Sequence, residues 1–298
     1  MSKWWSGKSK GNPLGYKIFV WCLDVFGLRF TYLILAMVVS YFWVFAPKVF
    51  ISQYRYFNQR LHKNPFSSVF WVFRNYFSFG QVILDKIAML SGRGGKLKFE
   101  FDGEEHLQTM VNNGKGGILL GAHIGNWAVA GQLLKRINVK VNVVMLDGEV
   151  EKIQSVINQQ TIEQPFNIIP LKDDLSHVIM IKEALRNNEF VCIHGDRSLS
   201  ESNTAEVLFM DATAHFPLGP HILAGKFNAP VSFVFAMKST LSTYHFYASA
   251  PQSFKLPRQA DAKNNVLMLS LNRYVSALES TLLKYPHQWY NYYNFWNR

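Results

Sequence analysis

The chain has 298 residues, 49% of them hydrophobic and 17% charged, and that much apolar surface excludes a disordered chain. Its two cysteines, Cys22 and Cys192, exclude a disulfide scaffold or a cysteine-rich metal module and fit a reducing compartment. The net charge of +11 is lopsided: residues 1–98 carry 14 Lys and Arg against only Asp24 and Asp85, whereas residues 99–298 carry 17 against 18.

The basic third is also rich in aromatic and apolar residues. That combination points to an anionic membrane surface. It holds no nucleic-acid-binding motif, and no nucleic acid is expected as a partner. Between Arg29 and Lys48, the 18 residues from Phe30 to Pro47 are uncharged. As a helix at ~1.5 Å per residue they would come close to the hydrocarbon thickness of a bilayer. Basic residues flank this run on both sides, so its orientation stays open, as does the choice between spanning and lying in the surface. No small-x-small site follows it, which argues against a cleaved signal peptide. Residues 66–90 have helical spacing at Phe66, Val69, Phe70, Phe73, Phe77 and Val82. Ser91-Gly92-Arg93-Gly94-Gly95 then breaks the chain. The expected division is a membrane-associated helical region over 1–95 and a catalytic domain over 96–298.

From residue 99 strands and helices alternate. Strands are expected at Gly116–Ala122, Val139–Leu146, Phe166–Pro170, Phe190–His194, Val231–Met237 and Thr243–Ala250. Helices are expected at Asn126–Arg136, Val150–Gln160, Leu175–Arg186 and Ala262–Leu283, with a further one from Pro220 to Phe227. The pattern predicts an α/β fold with a mixed, mostly parallel sheet flanked by helices. The aromatic tail Gln288–Trp296 is expected to pack on the sheet, the alternative being that it lines a lipid groove.

Two strand ends carry the chemistry. Gly121-Ala122-His123-Ile124-Gly125-Asn126-Trp127 puts a histidine at the end of a buried strand, before a glycine and a helix start. Ligands of open α/β sheets bind at such carboxyl ends, where a histidine can act as a general base. His194-Gly195-Asp196-Arg197 ends another apolar strand. There Asp196 could hold Arg197 or orient an imidazole, and Arg197 could grip a phosphate. Phe216-Pro217-Leu218-Gly219-Pro220 leads into a helix, with Gly219 leaving room for a ligand. Without a Cys cluster or a His-x-x-x-His pair, no metal is expected. Gly114-Lys115-Gly116-Gly117 precedes its strand and reads as a turn, not a nucleotide loop.

In their order and spacing these elements resemble the lysophospholipid acyltransferase superfamily, in its bacterial lipid A late acyltransferase branch. The residues concerned are Trp4 to Gly11 and the apolar helix after it, His123 to Trp127, His194 to Arg197, Phe216 to Pro220, Ala229-Pro230-Val231 and the tail at Trp289. The resemblance implies an O-acyltransferase at the cytoplasmic face of a bacterial inner membrane. It would move an acyl chain from acyl carrier protein or coenzyme A to a hydroxyl of a lipid, with a lipid A precursor the first candidate and no other cofactor. It makes His123 the base. It places Gly125, Asn126, Trp127, His194, Asp196, Arg197, Gly219 and Pro220 around the substrate, with the Gly125 and Asn126 amides facing the oxyanion. The sequence departs from the family at one position. The family has an Asp or Glu five residues after the histidine, and this chain has Ala128. Asp147, Glu149 and Asp196, each past a strand end, are candidate substitutes. The alternative is an impaired member that binds lipid without transferring acyl groups.

Overall fold

The computed structural model describes residues 13–45, 47–90, 94–95, 97–126, 136–146, 166–172, 174–198 and 203–296. Trp127, Ala128, Asp147 and Glu149 lie outside the described residues, as do the motif Trp4–Gly11, the expected helix 150–160 and most of 126–136.

The N-terminal part is helical: α1 (Pro13–Phe45), α2 (Pro47–Arg55), a π turn (Tyr56–Arg60) and α3 (Pro65–Leu90). The apolar helix begins well upstream of the expected Phe30, and Pro47 opens α2 instead of closing the run. A proline fits there because the first helical turn has no use for its missing N–H. The stretch Ile18–Tyr41, with mean hydropathy 1.9, is long and apolar enough to cross a bilayer. Helix α1 kinks at Gly27, whose φ of 76° suits glycine and few other residues.

One stripe of α1 stays exposed: Ile18, Trp21, Val25, Phe30, Leu33, Met37, Tyr41 and Phe45 recur three to five residues apart. The opposite face buries Cys22, Leu23, Tyr32, Leu35 and Val39, and α1 packs along α3.

The second part holds β1 (Lys98–Asp102), α4 (Glu104–Asn112), β2 (Gly117–Gly121), β3 (Val141–Leu146), β4 (Asn167–Leu171), α5 (Ser176–Arg186) and β5 (Phe190–His194). It continues with β6 (Thr204–Phe209), β7 (Ala212–Pro217), α6 (Gly219–Phe227), β8 (Val231–Lys238), β9 (Thr243–Ala248) and α7 (Ala260–Lys284). Seven strands form one sheet in the order β1-β9-β8-β2-β5-β3-β4. All neighbouring pairs are parallel except β8 with β9. This is the expected mixed, mostly parallel sheet.

Strand β1 and the separate β6–β7 hairpin were not expected from the sequence. The hairpin turns through Met210 and Asp211, both at positive φ (50° and 59°). That is the backbone of a two-residue type I′ turn, which normally selects Asn-Gly, so the sequence carries no turn signal there.

One hydrophobic core crosses from helices to sheet. Tyr32, Leu35, Tyr56, Phe57 and Val72 share it with Ile118 and Leu120 of β2, Phe233 of β8, Leu271 and Leu278 of α7, and Trp289. The aromatic tail lies between the two parts and is stitched to the helices by side chains. Ser52 Oγ donates to the Tyr293 carbonyl at 2.7 Å, Gln53 Nε2 to the Asn291 carbonyl at 2.7 Å, and Asn75 Nδ2 to the Trp289 carbonyl at 2.8 Å.

Candidate active site

Strands β2 and β5 are parallel neighbours in a register that pairs Gly121 with His194. Two residues beyond each of these stand His123 and Asp196, and the matched register brings them face to face. The Asp196 carboxylate accepts from His123 Nδ1 at 2.7 Å and from the His123 backbone N–H at 3.1 Å. The carboxylate is fully buried, whereas the imidazole is 24% exposed. Burial works to raise the Asp196 pKa, but the adjoining His123, together with Arg197 and His194, outweighs it and holds the carboxyl far below the usual range. An ionised acceptor fixes the proton of neutral His123 on Nδ1 and leaves Nε2 as the nitrogen with the lone pair.

His194 completes the row, its Nδ1 standing 3.4 Å from His123 Nε2 with the rings edge to face. Burial first, then the His123 charge, pushes the His194 pKa down to about 3. His194 is therefore neutral at ordinary pH. With His123 Nε2 as the acceptor, His194 Nδ1 is the donor of that contact.

The loop after β2 is clamped from two sides. The Tyr290 N–H donates to the His123 carbonyl at 3.0 Å, and the Gly125 N–H donates to the Gln288 carbonyl at 2.9 Å. The Asn126 N–H donates to the Ala236 carbonyl at 2.7 Å. The expected oxyanion role of the Gly125 and Asn126 amides is thereby corrected, because both protons already serve the fold. Gly125 sits at φ 56°, and a Cβ there would meet the Ala236 oxygen at 2.0 Å. The glycine is thus required by the backbone at this point.

Arg197 lies on the tail side. It donates to the Tyr290 carbonyl at 2.9 Å, and its guanidinium stands 6.0 Å from the Tyr293 ring centre. Gly219 and Pro220 open α6, beside His221, whose ring is 6.1 Å from that of Tyr274. Tyr274 in turn donates to the Gly121 carbonyl at 2.8 Å.

Beneath the loop is a buried polar cluster. Asn126 Nδ2 donates to the Tyr244 hydroxyl at 3.3 Å. Tyr244, Tyr32 and Lys238 all donate to the Asp85 carboxylate, and Lys238 also donates to the Tyr32 hydroxyl at 3.0 Å. Burial pushes the Lys238 pKa down while the charge of Asp85 pushes it back up. These contacts run from α1 and α3 to the residue three beyond His123.

Tyr274, Asp85, Lys238 and the Gln288–Tyr290 clamp were missed in the sequence. Asp85 alone had a signal, as the one acid between Asp24 and the end of α3.

The phosphatidylinositol mannoside acyltransferase of Mycobacterium tuberculosis (strain ATCC 25618 / H37Rv) is 28% identical over 123 residues. That match covers 41% of this chain and 39% of the relative. The protein of the same name from strain CDC 1551 / Oshkosh matches to the same extent. The chain therefore aligns with well under two thirds of these relatives' length. The crystal structure of the 1-acyl-sn-glycerophosphate acyltransferase PlsC from Thermotoga maritima is 14% identical, with a TM-score of 0.36, covering 83% of this chain and 98% of that one. The profile of the bacterial lipid A biosynthesis acyltransferases matches residues 72–297, from the middle of α3 through the His123 and Asp196 loops to the tail, and the chain belongs to that family.

Proposed function

We propose that the chain is a membrane-associated O-acyltransferase. It transfers a fatty acyl group from the thioester of acyl carrier protein or coenzyme A to a hydroxyl of a membrane lipid, a lipid A precursor being the first candidate acceptor. The observation that carries this reading is the His123–Asp196 pair at adjacent strand ends, with the base partly open and the acid fully buried. Asp196 fills the role that residue 128 has in the family signature, so Ala128 does not stand in the way of the chemistry. Family membership supports the reaction class. The exposed apolar stripe of α1 and the basic N-terminal third support a location at an anionic membrane, taken as the cytoplasmic face of a bacterial inner membrane.

His123 Nε2 takes the proton of the acceptor hydroxyl as that oxygen attacks the thioester carbonyl carbon. Asp196 stays ionised and stabilises the imidazolium that forms. The tetrahedral intermediate collapses with cleavage of the C–S bond. The departing thiolate takes the proton back from His123, leaving an ester and a thiol. Once His123 Nε2 is protonated it no longer accepts from His194, which frees the neutral His194 Nδ1–H for the developing oxyanion. Gly219, Pro220 and Arg197 border the lipid or phosphate portion of the substrates.

The test is transfer of labelled acyl groups from acyl-acyl carrier protein into a total lipid extract by membranes holding this chain. His123→Ala, Asp196→Asn and Ala128→Glu are run beside it. Label entering lipid with the native chain, and lost in His123→Ala and Asp196→Asn, supports the reading. Label appearing only with Ala128→Glu overturns it in favour of a lipid-binding role.

A further inference from the structure

A cleft apart from the His123–Asp196 pair borders the aromatic tail. It has a volume of about 220 Å³ and lies between the α2–π-turn segment and residues 289–296. Arg55 and Arg60 line one wall, and Trp289, Asn291, Tyr293 and Trp296 line the other. Three observations bear on what it could hold.

First, its charge is uncompensated. Neither Arg55 nor Arg60 has a carboxylate within ion-pair distance among the described residues, and the sequence has no acid between Asp24 and Asp85. Arg60 is instead stacked over the Trp296 ring at 5.1 Å, which holds the guanidinium in place without neutralising it.

Second, two separate elements bring both arginines to the same cleft: Arg55 ends α2, and Arg60 ends the π turn, which is closed by the Leu61 N–H to the Tyr56 carbonyl at 3.2 Å.

Third, Asn291 on the opposite wall is 2% exposed, and neither its amide nitrogen nor its amide oxygen has a partner among the described residues. A buried amide without partners is costly unless a ligand or water completes it.

We propose that this cleft binds a phosphate group, with the Arg55 and Arg60 guanidiniums as donors and the buried, unpartnered Asn291 side chain in the wall opposite them. Guanidinium forks match phosphate oxygens in pairs. The phosphate is either that of a lipid headgroup or that of a soluble molecule. Trp289 borders the cleft, and its backbone pairs with Ile124, next to His123. Phosphate binding stands without reference to acyl transfer. Only its use by a reacting lipid rests on the acyltransferase reading.

The experiment is calorimetric titration of the full chain in a non-ionic detergent, with no acyl donor present. One arm uses pyrophosphate and the other dihexanoyl phosphatidic acid below its micellar concentration. Each arm compares the native chain with Arg55→Gln, Arg55→Gln/Arg60→Gln and His123→Ala. Saturable binding is expected, weakened about threefold by Arg55→Gln and at least tenfold by the double variant, with His123→Ala equal to the native chain. Binding of the phosphatidic acid at the tighter affinity assigns the cleft to a lipid headgroup; tighter pyrophosphate binding assigns it to a soluble phosphate. Binding that is absent in both arms, or unchanged in the double variant, overturns the proposal. Arg55 is exposed, so its single variant keeps the test valid if the double one fails to fold. Loss of acyl transfer in His123→Ala with binding retained separates the two readings.

Discussion

Asp196 holds His123 at two points, its carboxylate taking the imidazole Nδ1–H at 2.7 Å and the backbone N–H of the same residue at 3.1 Å. One acid thus sets the tautomer of the ring and the position of the loop that carries it. Asp196→Asn keeps the shape but can present an amide N–H to Nδ1, which favours the wrong tautomer. The expected outcome is a fall in kcat of about 10²- to 10⁴-fold with KM for either substrate little changed. Steady-state kinetics with the donor and the acceptor varied separately check it.

Gly125→Ala is expected to fail structurally. The new methyl would stand 2.0 Å from the Ala236 oxygen and 2.9 Å from Met237 Sδ, at a φ of 56°. The left-handed conformation alone costs about 1–2 kcal/mol for a residue with a Cβ, and the contact with a backbone oxygen cannot be relieved by a rotamer change. Thermal unfolding in detergent should show a loss of at least about 2 kcal/mol. A variant as stable as the native chain would refute this.

The Asp85–Lys238 pair joins α3 to β8 in the interior, where both side chains are almost fully buried. Lys238→Met leaves the buried Asp85 carboxyl without its cation and is expected to destabilise by about 3–5 kcal/mol. The double change Asp85→Leu/Lys238→Met removes both charges and should recover most of that loss. Denaturant unfolding of the three proteins provides the comparison, and an unrecovered double variant would show that the tyrosine hydroxyls need the carboxylate.

Mild acid should weaken the fold through its buried histidines. His221, 1% exposed and hydrogen-bonded to Ser270 Oγ at 2.8 Å, has its pKa pushed down to about 4 by burial. Its folded value lies below the unfolded one near 6.5, so its contribution is complete above that pH and is lost as pH falls toward 4. The slope from one such group is about 1.4 kcal/mol per pH unit. His194 and His287, pushed down to about 3 and about 4, act in the same direction. Melting temperatures should hold from pH 7.5 to about 6.5 and then fall toward pH 5, and His221→Asn should flatten the profile by about one proton. An unchanged slope in that variant would mean His221 is already protonated in the fold.

Much of the architecture was readable without coordinates. The apolar runs at 117–121, 141–146 and 190–194 are short, rich in branched residues and bounded by turns, and they form adjacent inner strands because both their faces must be covered. Helices at 176–186 and 260–284 follow their apolar spacing. Strand β1 escaped notice because its alternation, Phe99 and Phe101 among charges, spans only five residues. The β6–β7 hairpin escaped because Met210 and Asp211 are not typical residues for positive φ.

The site divides in the same way. Chain-local information marked His123, His194 and Asp196 as strand-end residues, because a buried strand followed by a glycine has a recognisable composition. Which of the three candidate acids meets His123 depends on strand order and register, and pairing of Gly121 with His194 is a property of the folded sheet. The engagement of the Gly125 and Asn126 amides, the support from Tyr274 and the tail clamp at Gln288 and Tyr290 arise between residues more than a hundred positions apart. The sequence by itself determined the apolar helix, the alternation of strands and helices, and the histidine at a strand end, all of which rest on neighbours along the chain. Only the tertiary structure chose Asp196 as the partner of His123, because hydrogen bonding between strand ends is decided by how the whole sheet pairs.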